Sequence, residues 1–201
     1  MSRSVNKRNV RSAVAASPPP PWRPTPADLR AAAGKTVPDV IAPDLRLLFC
    51  GINPGLYTAA IGHHFGRPGN RFWPALYAGG FTPRVFSPFE EARLLELGYG
   101  ITNLVERASN LASELTRDEL RAGGRHLMRK LARYRPRYVA VLGVTSFRVA
   151  FERPQADVGP QPEPLGDTPV WLLPNPSGLN AHYTPTKLAR LFAALRVSIK
   201  T

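Results

Sequence analysis

A buried strand that ends in a tight turn is the feature that most constrains how this chain can fold. The apolar run Leu47–Cys50 stops abruptly at the segment Gly-Ile-Asn-Pro-Gly, residues 51–55. A short apolar run bounded by glycine and proline indicates a buried strand followed by a loop. In open α/β sheets, ligands bind at the carboxyl ends of the strands, which is where Asn53 falls. An ordinary strand-to-loop turn uses the same residue types, so this motif alone leaves both interpretations open.

Strands and helices alternate along the rest of the chain, which is typical of a parallel sheet with helices on both faces. A capping box, Thr116 with Glu119, marks the start of the longest helix, and Thr184-Pro185 opens the last one. Further strands are predicted at 100–107, 137–143 and 168–173, and further helices at 73–77, 88–97 and 146–151. We therefore predict an α/β fold of three layers, α/β/α, around a short and mostly parallel central sheet.

The charge balance points to a polyanionic partner. Lysine and arginine total 27 against 14 aspartate and glutamate residues, which gives a net charge of +13 and a pI of about 10.8. Such a balance favours nucleic acid ahead of a membrane surface, although a merely basic soluble protein is the alternative. The single cysteine, Cys50, excludes an internal disulfide framework and a cysteine-ligated iron–sulfur cluster. We expect Cys50 to be a buried apolar residue and no segment to span a membrane.

Residues 1–40 are predicted to form a basic, proline-rich flexible arm that precedes a domain at 41–201. Seven basic residues in the arm face one acidic residue, Asp28, before Asp39, and Pro18–Pro21 favours polyproline geometry. We interpret the arm as a segment that finds DNA by charge. A solvated tail without a role and an organelle transit peptide are the alternatives. A cytoplasmic, nucleoid-associated location is therefore expected for a bacterial chain, and organelle targeting stays open.

A second Asn-Pro turn follows the predicted strand at 168–173, in the sequence Pro-Asn-Pro-Ser-Gly-Leu-Asn of residues 174–180. Because the carboxyl ends of parallel strands share one edge of the sheet, the two Asn-Pro loops can meet over one crevice. Between them in the sequence lies a glycine-rich and aromatic-rich loop in which Phe65 can stack on a planar ligand. No Cys, Asp or Glu lies near His63 and His64 in the sequence to complete a ligand set, so we expect no metal site there.

The two loops together resemble those of the mismatch-specific uracil-DNA glycosylases, a branch that includes the thymine-DNA glycosylases. The resemblance extends through Phe65, Asn70–Trp73 and Thr102–Val105, and it covers the chain from about Asp44 onward. It implies a uracil-DNA glycosylase-like fold and hydrolysis of the N-glycosidic bond to uracil, with uracil mispaired with guanine and related modified pyrimidines as substrates. It also implies double-stranded DNA as partner and neither a metal ion nor an organic cofactor. We further expect a monomer.

The resemblance assigns the chemistry to the first loop. It implies that Asn53 holds the attacking water beneath the sugar C1′ and that Phe65 stacks on the extruded base. Backbone groups of Ile52 and Phe65 would read the uracil edge, with Asn70 and Asn103 in the same base pocket. Gly55 stands where a branch with strict uracil selectivity has a bulky side chain, so a 5-substituted base is expected to fit.

The resemblance assigns the DNA contacts to the second loop. Asn175 and Ser177 would shape this loop and hold phosphate. Gly178, Leu179 and Asn180 would enter the duplex, with Leu179 filling the gap that the extruded base leaves behind.

A carboxylate could support Asn53, because an amide positions water but cannot accept its proton at neutral pH. Glu106 is the nearest candidate in the sequence, and a salt bridge to Arg107 or a neighbouring base is its alternative role. Two functions are alternatives to a glycosylase: a low-turnover mismatch or damage sensor that keeps the same pocket, and a small-molecule nucleotide hydrolase. The second lacks support because the chain has no Gly-x-x-x-x-Gly-Lys phosphate loop.

Overall fold

Within residues 23–199, four parallel strands and one short antiparallel strand form the central sheet. The computed structural model, which describes residues 23–199, arranges them in the order β2-β1-β3-β5-β4. The strands are β1 (Leu47–Gly51), β2 (Tyr99–Asn103), β3 (Val139–Leu142), β4 (Gly159–Pro160) and β5 (Val170–Leu173). Only β4 runs antiparallel, at the edge beside β5. Every residue of the four parallel strands is buried, which explains why the sequences of β1, β3 and β5 read as continuous apolar runs.

Helices cover both faces of the sheet. They are α1 (Pro26–Ala31), α2 (Leu56–Ile61), α3 (Phe72–Ala78), α4 (Arg117–Tyr134), α5 (Val144–Ala150) and α6 (Pro185–Ser198). Thr116 and Thr184 cap α4 and α6 through their side chains, as their sequence contexts predict. Within residues 23–199, no helix combines the length and the apolar character needed to cross a membrane.

The predicted helix at 88–97 is a 3₁₀ segment, Pro88–Leu97, rather than an α-helix. Of its apolar side chains only Leu94 is fully buried, and Phe89 is exposed, so an apolar stripe gives little support to α-helical geometry. Gly98, at a φ of 77°, ends the segment in the left-handed conformation.

Two apolar clusters lie on opposite faces of the sheet, and alternate residues of β1 belong to each. Leu47 and Phe49 pack with side chains of α3 and α6, whereas Leu48 and Cys50 pack with those of α4 and α5. The predicted three-layer α/β/α architecture is therefore confirmed. Cys50 is fully buried as predicted, and this burial raises the pKa of its thiol.

The packed part of the protein begins upstream of residue 41, the predicted domain boundary. Ala32 and Val37 are buried against Ala59 of α2, and Val40 pairs with Ile101 of β2 through two backbone hydrogen bonds. These few apolar residues are scattered among prolines and charges, so they give no periodic signal. Residues 1–22 of the predicted arm lie outside the described residues.

The strand order places a crevice beside Asn53. The chain passes from β1 to β2 on one side and then crosses to β3 on the other side of β1. Ligands bind at such a reversal of strand order, outside the carboxyl ends of the two central strands. Here those ends are Gly51 of β1 and Leu142 of β3.

Candidate active site

A cavity of about 390 Å³ opens at this reversal point. Leu142 of β3 contributes to its lining, together with residues from both Asn-Pro loops and from the glycine-rich loop between them. The lining includes ten of the predicted site residues: Ile52, Asn53, Gly55, Phe65, Asn70, Asn103, Asn175, Ser177, Leu179 and Asn180. The structure thus brings together two loops that are more than one hundred residues apart in the sequence.

Asparagine dominates the polar part of this lining. All six asparagines between residues 23 and 199 contribute to it: Asn53, Asn70, Asn103, Asn110, Asn175 and Asn180. In the same part of the chain, no aspartate or glutamate lines the cavity. Side-chain amides both donate and accept hydrogen bonds without carrying charge. The cavity can therefore hold a polar uncharged group and a water molecule, but its amides cannot remove a proton from that water.

The side chain of Asn53 is fixed in one orientation. Its Nδ2 donates to the backbone carbonyl of Arg107 at 3.2 Å and to the hydroxyl of Ser109 at 2.8 Å. Ser109 in turn donates to the carbonyl of Leu111 at 2.7 Å. Because a carbonyl can only accept, these bonds assign the amide nitrogen to that side. The amide oxygen of Asn53 is then the atom that can hold a water.

Ser109 is a residue of the candidate site that the sequence did not reveal. Residues 108–115 show no helical or strand periodicity, and their only signal is their position just after β2. In the structure Ser109 is buried, and its N–H donates to the carbonyl of Pro54 at 3.2 Å. The segment after β2 is therefore bonded directly to the loop that carries Asn53.

The backbone of Phe65 is strained, and its ring stacks on a second ring. Its φ of 53° is unusual for a bulky side chain, and such strain clusters at functional sites. The ring of Phe65 stacks on that of Phe72 with centroids 4.0 Å apart and planes 22° apart. Since Phe72 covers one face of Phe65 and Phe65 lines the cavity, a planar ligand can complete a three-layer stack.

Two glycines of the first loop affect the cavity in different ways: Gly51 allows close packing, and Gly55 borders open space. A Cβ atom at Gly51 would lie 2.5 Å from Oδ1 of Asn103 and 3.3 Å from Cζ of Phe65, so a larger residue would displace both side chains. A Cβ atom at Gly55 would meet nothing within 4 Å. The cavity therefore has unfilled space beside Gly55.

The second Asn-Pro loop is a turn closed by its own side chains. Oδ1 of Asn175 accepts from the N–H of Ser177 at 3.0 Å, and Nδ2 of Asn180 donates to the carbonyl of Asn175 at 3.1 Å. The turn leaves Leu179 at 64% exposure on the cavity. Gly178 lies outside the lining, and a Cβ atom there would come within 2.6 Å of the carbonyl oxygen of Gly69. Gly178 thus lets this turn pack directly against the glycine-rich loop.

Arg71 binds the turn to the rest of the site. Its guanidinium donates to the carbonyls of Ser177 and Asn180, both at 2.7 Å, and to the carbonyl of Tyr183. Its own N–H donates to the carbonyl of Pro176 at 2.9 Å. Arg71 is the N-cap residue of α3, so this helix start fixes the position of the loop that carries Leu179. In the sequence, Arg71 appears only as a member of the Asn70–Trp73 motif, and nothing there indicates that it binds the second Asn-Pro loop.

His63 and His64 share a buried carboxylate, which comes from the 3₁₀ segment. Oε1 of Glu91 lies 2.8 Å from Nδ1 of His63, and Oε2 lies 2.9 Å from Nδ1 of His64 and 2.7 Å from its backbone N. Burial raises the pKa of Glu91, but hydrogen bonds and charge from His64, with a further bond from His63, outweigh it and hold this pKa below its usual value. This contact fixes His64, which lines the cavity.

We expect Glu91→Gln to lower the free energy of unfolding by about 1–3 kcal/mol, because the amide keeps only one accepting oxygen and either His63 or the buried His64 then loses its acceptor. Since the folded-state pKa of Glu91 lies below the ordinary value, its stabilisation is full above that ordinary value and is lost as the pH falls through the folded-state pKa. Urea unfolding measures this effect. The gap between the two proteins should narrow as the pH falls below the ordinary carboxyl pKa, and a gap that stays constant would contradict the assignment.

Glu106 is not brought to the cavity. Its Oε1 lies 3.3 Å from Nζ of Lys130 and 3.4 Å from Nε2 of His126, and Glu106 is absent from the lining. The alternative of a salt bridge fits the structure better than electrostatic support of Asn53. Of the bases named in that alternative, Arg107 is not the partner, because it bonds with Glu119 instead.

Comparisons with known proteins identify a family for this chain and a solved structure with a similar fold. Residues 38–196 match the model of the uracil DNA glycosylase superfamily. The fold is similar to the solution NMR structure of a Methanosarcina acetivorans protein described as a "putative Uracil DNA glycosylase", with a TM-score of 0.55 and 16% sequence identity. That similarity covers 84% of this chain and 99% of the other. Because the family match spans most of its length, this chain belongs to the uracil DNA glycosylase superfamily.

Proposed function

We propose that this protein is a DNA repair glycosylase that extrudes uracil from duplex DNA and hydrolyses its N-glycosidic bond, leaving an abasic site. One observation carries the proposal: the half-buried Asn53 and the exposed Leu179 come from two separate Asn-Pro loops, yet both line one cavity. A site that only bound a free base would have no use for a leucine that is 64% exposed beside it. An enzyme that takes a base out of a duplex needs such a side chain.

Extrusion comes first, because the bond to be cut cannot be reached inside the duplex. Unpairing and unstacking one base costs a few kcal/mol. Leu179 offsets part of this cost by occupying the vacated gap, and the extruded base stacks on Phe65. Ser177 and the exposed Arg67, both in the lining, suit the phosphates beside the extruded nucleotide.

Hydrolysis then uses the water that the oxygen of Asn53 holds beneath C1′. The bond between C1′ and the base nitrogen breaks, and its electron pair leaves with the base. The water oxygen bonds to C1′ and releases a proton to solvent. Backbone N–H groups at Ile52 and Phe65 stabilise the departing anion, and such donors are typically worth about 3–4 kcal/mol each. Because no carboxylate from residues 23–199 lines the cavity, we expect slow turnover.

The lining also favours a particular subtype and substrate range. No lysine from the described part of the chain lines the cavity, so no amine is placed there to attack C1′, which supports a monofunctional enzyme. The open space beside Gly55 can take a substituent on C5 of the base. We therefore propose membership of the mismatch-specific branch, with uracil opposite guanine and related modified pyrimidines as substrates.

A panel of oligonucleotides tests this function. Each duplex or single strand carries one altered base and is incubated with the protein, and abasic sites are then scored as strand breaks after alkali. We expect breaks at uracil opposite guanine, and none in an unmodified duplex. Tight, salt-dependent binding without abasic product would contradict the proposal and would support the alternative, a damage sensor that uses the same cavity.

A further inference from the structure

We infer that Leu111 is a second apolar contact to the extruded nucleotide, and that it packs on the deoxyribose rather than on the base. This inference rests on the proposed function. Between residues 23 and 199, large apolar side chains are exposed at six positions: Tyr77, Val85, Phe89, Leu111, Leu179 and Val197. Only Leu111 and Leu179 of these six line the cavity. Exposed apolar side chains that gather at one cavity indicate a surface that a ligand covers.

The sheet topology puts these two leucines on opposite sides of the crevice. Leu111 lies in the segment after β2, and Leu179 lies in the loop after β5. Strands β1 and β3 separate β2 from β5, so the two segments leave the sheet about 14 Å apart, at roughly 4.8 Å per strand. Both side chains nevertheless line one cavity. A nucleotide in this cavity would therefore be contacted from both sides.

Hydrogen bonds hold the backbone of Leu111 in place. Its carbonyl accepts from the hydroxyl of Ser109 at 2.7 Å, and its N–H lies 3.2 Å from Oε1 of Glu114. A side chain on such a fixed backbone is preorganised, so a contact made through it orders little further chain.

The same bonds indicate which part of the nucleotide Leu111 meets. Ser109 links Leu111 to Asn53, because Ser109 accepts from Nδ2 of Asn53 at 2.8 Å. Asn53 is proposed to hold water beneath the sugar C1′, so a residue on this network lies on the sugar side of the cavity. Phe65, which is proposed to cover the base, belongs to a different loop. The apolar face of the deoxyribose is therefore the surface that Leu111 covers.

Binding to damaged duplexes tests this inference. We compare Leu111→Ala with wild type and with two control variants. Leu111→Met keeps an apolar side chain of similar volume. Val85→Ala changes an exposed residue outside the cavity lining. Fluorescence anisotropy gives Kd for three duplexes: one with an uncleavable 2′-fluoro-deoxyuridine, one with a tetrahydrofuran abasic analogue, and one undamaged. Uracil release from a cleavable duplex is measured with the same proteins.

We expect Leu111→Ala to weaken binding to both damaged duplexes by about 3–10-fold and to leave binding to undamaged DNA unchanged. Leu111→Met and Val85→Ala should stay within about twofold of wild type. Wild-type affinity of Leu111→Ala would overturn the inference. So would a loss confined to the uracil duplex, which would place the contact on the base, or an equal loss on undamaged DNA. If wild type itself releases no uracil, the proposed function fails, and the inference fails with it.

Discussion

Replacing Asn53 by alanine is expected to lower the single-turnover rate of uracil release by about 10²–10³-fold, the usual effect of removing one oriented polar group from an active site. The amide of Asn53 is held by the carbonyl of Arg107 and the hydroxyl of Ser109, so its oxygen needs no rearrangement to bind the attacking water. Alanine removes this oxygen, and no carboxylate from residues 23–199 lines the cavity to replace it.

Measuring DNA affinity distinguishes a role of Asn53 in hydrolysis from a general loss of structure. Asn53→Ala should bind a duplex with uncleavable 2′-fluoro-deoxyuridine within about threefold of wild type, because Phe65 and Leu179 are unchanged. Gln155→Ala removes an exposed amide outside the cavity lining and should leave both the rate and the affinity unchanged. Uracil release by Asn53→Ala at the wild-type rate would refute the role assigned to this amide.

Replacing Arg71 by alanine is expected to lower the rate of uracil release by about 10–100-fold. The step that this variant impairs is base extrusion, not hydrolysis. In the proposed mechanism, Arg71 contacts neither the base nor the sugar. Its guanidinium donates to three backbone carbonyls of residues 177–183, the segment that carries Leu179. Without these bonds Leu179 loses its fixed position, so less of the cost of extrusion is offset. Arg71→Lys should restore little of the rate of uracil release, because a single ammonium lacks the planar guanidinium fork that reaches several acceptors.

The fluorescence of 2-aminopurine beside the uracil measures this step, because the fluorophore brightens when its neighbour leaves the stack. Arg71→Ala should lose the increase that wild type gives, whereas Asn53→Ala should retain it. Arg84→Ala is the matched control, since Arg84 pairs with Glu90 outside the cavity lining. A full fluorescence increase with Arg71→Ala would show that the turn does not need this arginine. Circular dichroism confirms that each variant is folded.

The regular part of this fold could be predicted from local sequence. Strands β1, β3 and β5 are buried on both faces, so each reads as an unbroken apolar run. Thr116 and Thr184 cap their helices through bonds that span only three residues, which leaves a recognisable pattern. The meeting of the two Asn-Pro loops followed from one rule, the shared edge of parallel strands.

The rest of the site depends on contacts between residues that are far apart in the sequence, which no local sequence pattern predicts. Ser109 meets Asn53 across 56 positions, and Arg71 meets Ser177 across 106. Glu106 is the nearest candidate carboxylate in the sequence, but the chain turns beyond β2 and directs this carboxylate to Lys130. Short separation along the chain was therefore a poor guide to which polar groups reach the cavity.

A crystal structure of the protein bound to a duplex with one uncleavable 2′-fluoro-deoxyuridine opposite guanine tests the central claim most directly. We predict that the uracil lies outside the helix and stacks on Phe65, that a water bound to Asn53 lies beneath C1′, and that Leu179 occupies the gap in the stack. A uracil still paired within the duplex, or an extruded uracil with Leu179 left in solvent, would contradict it.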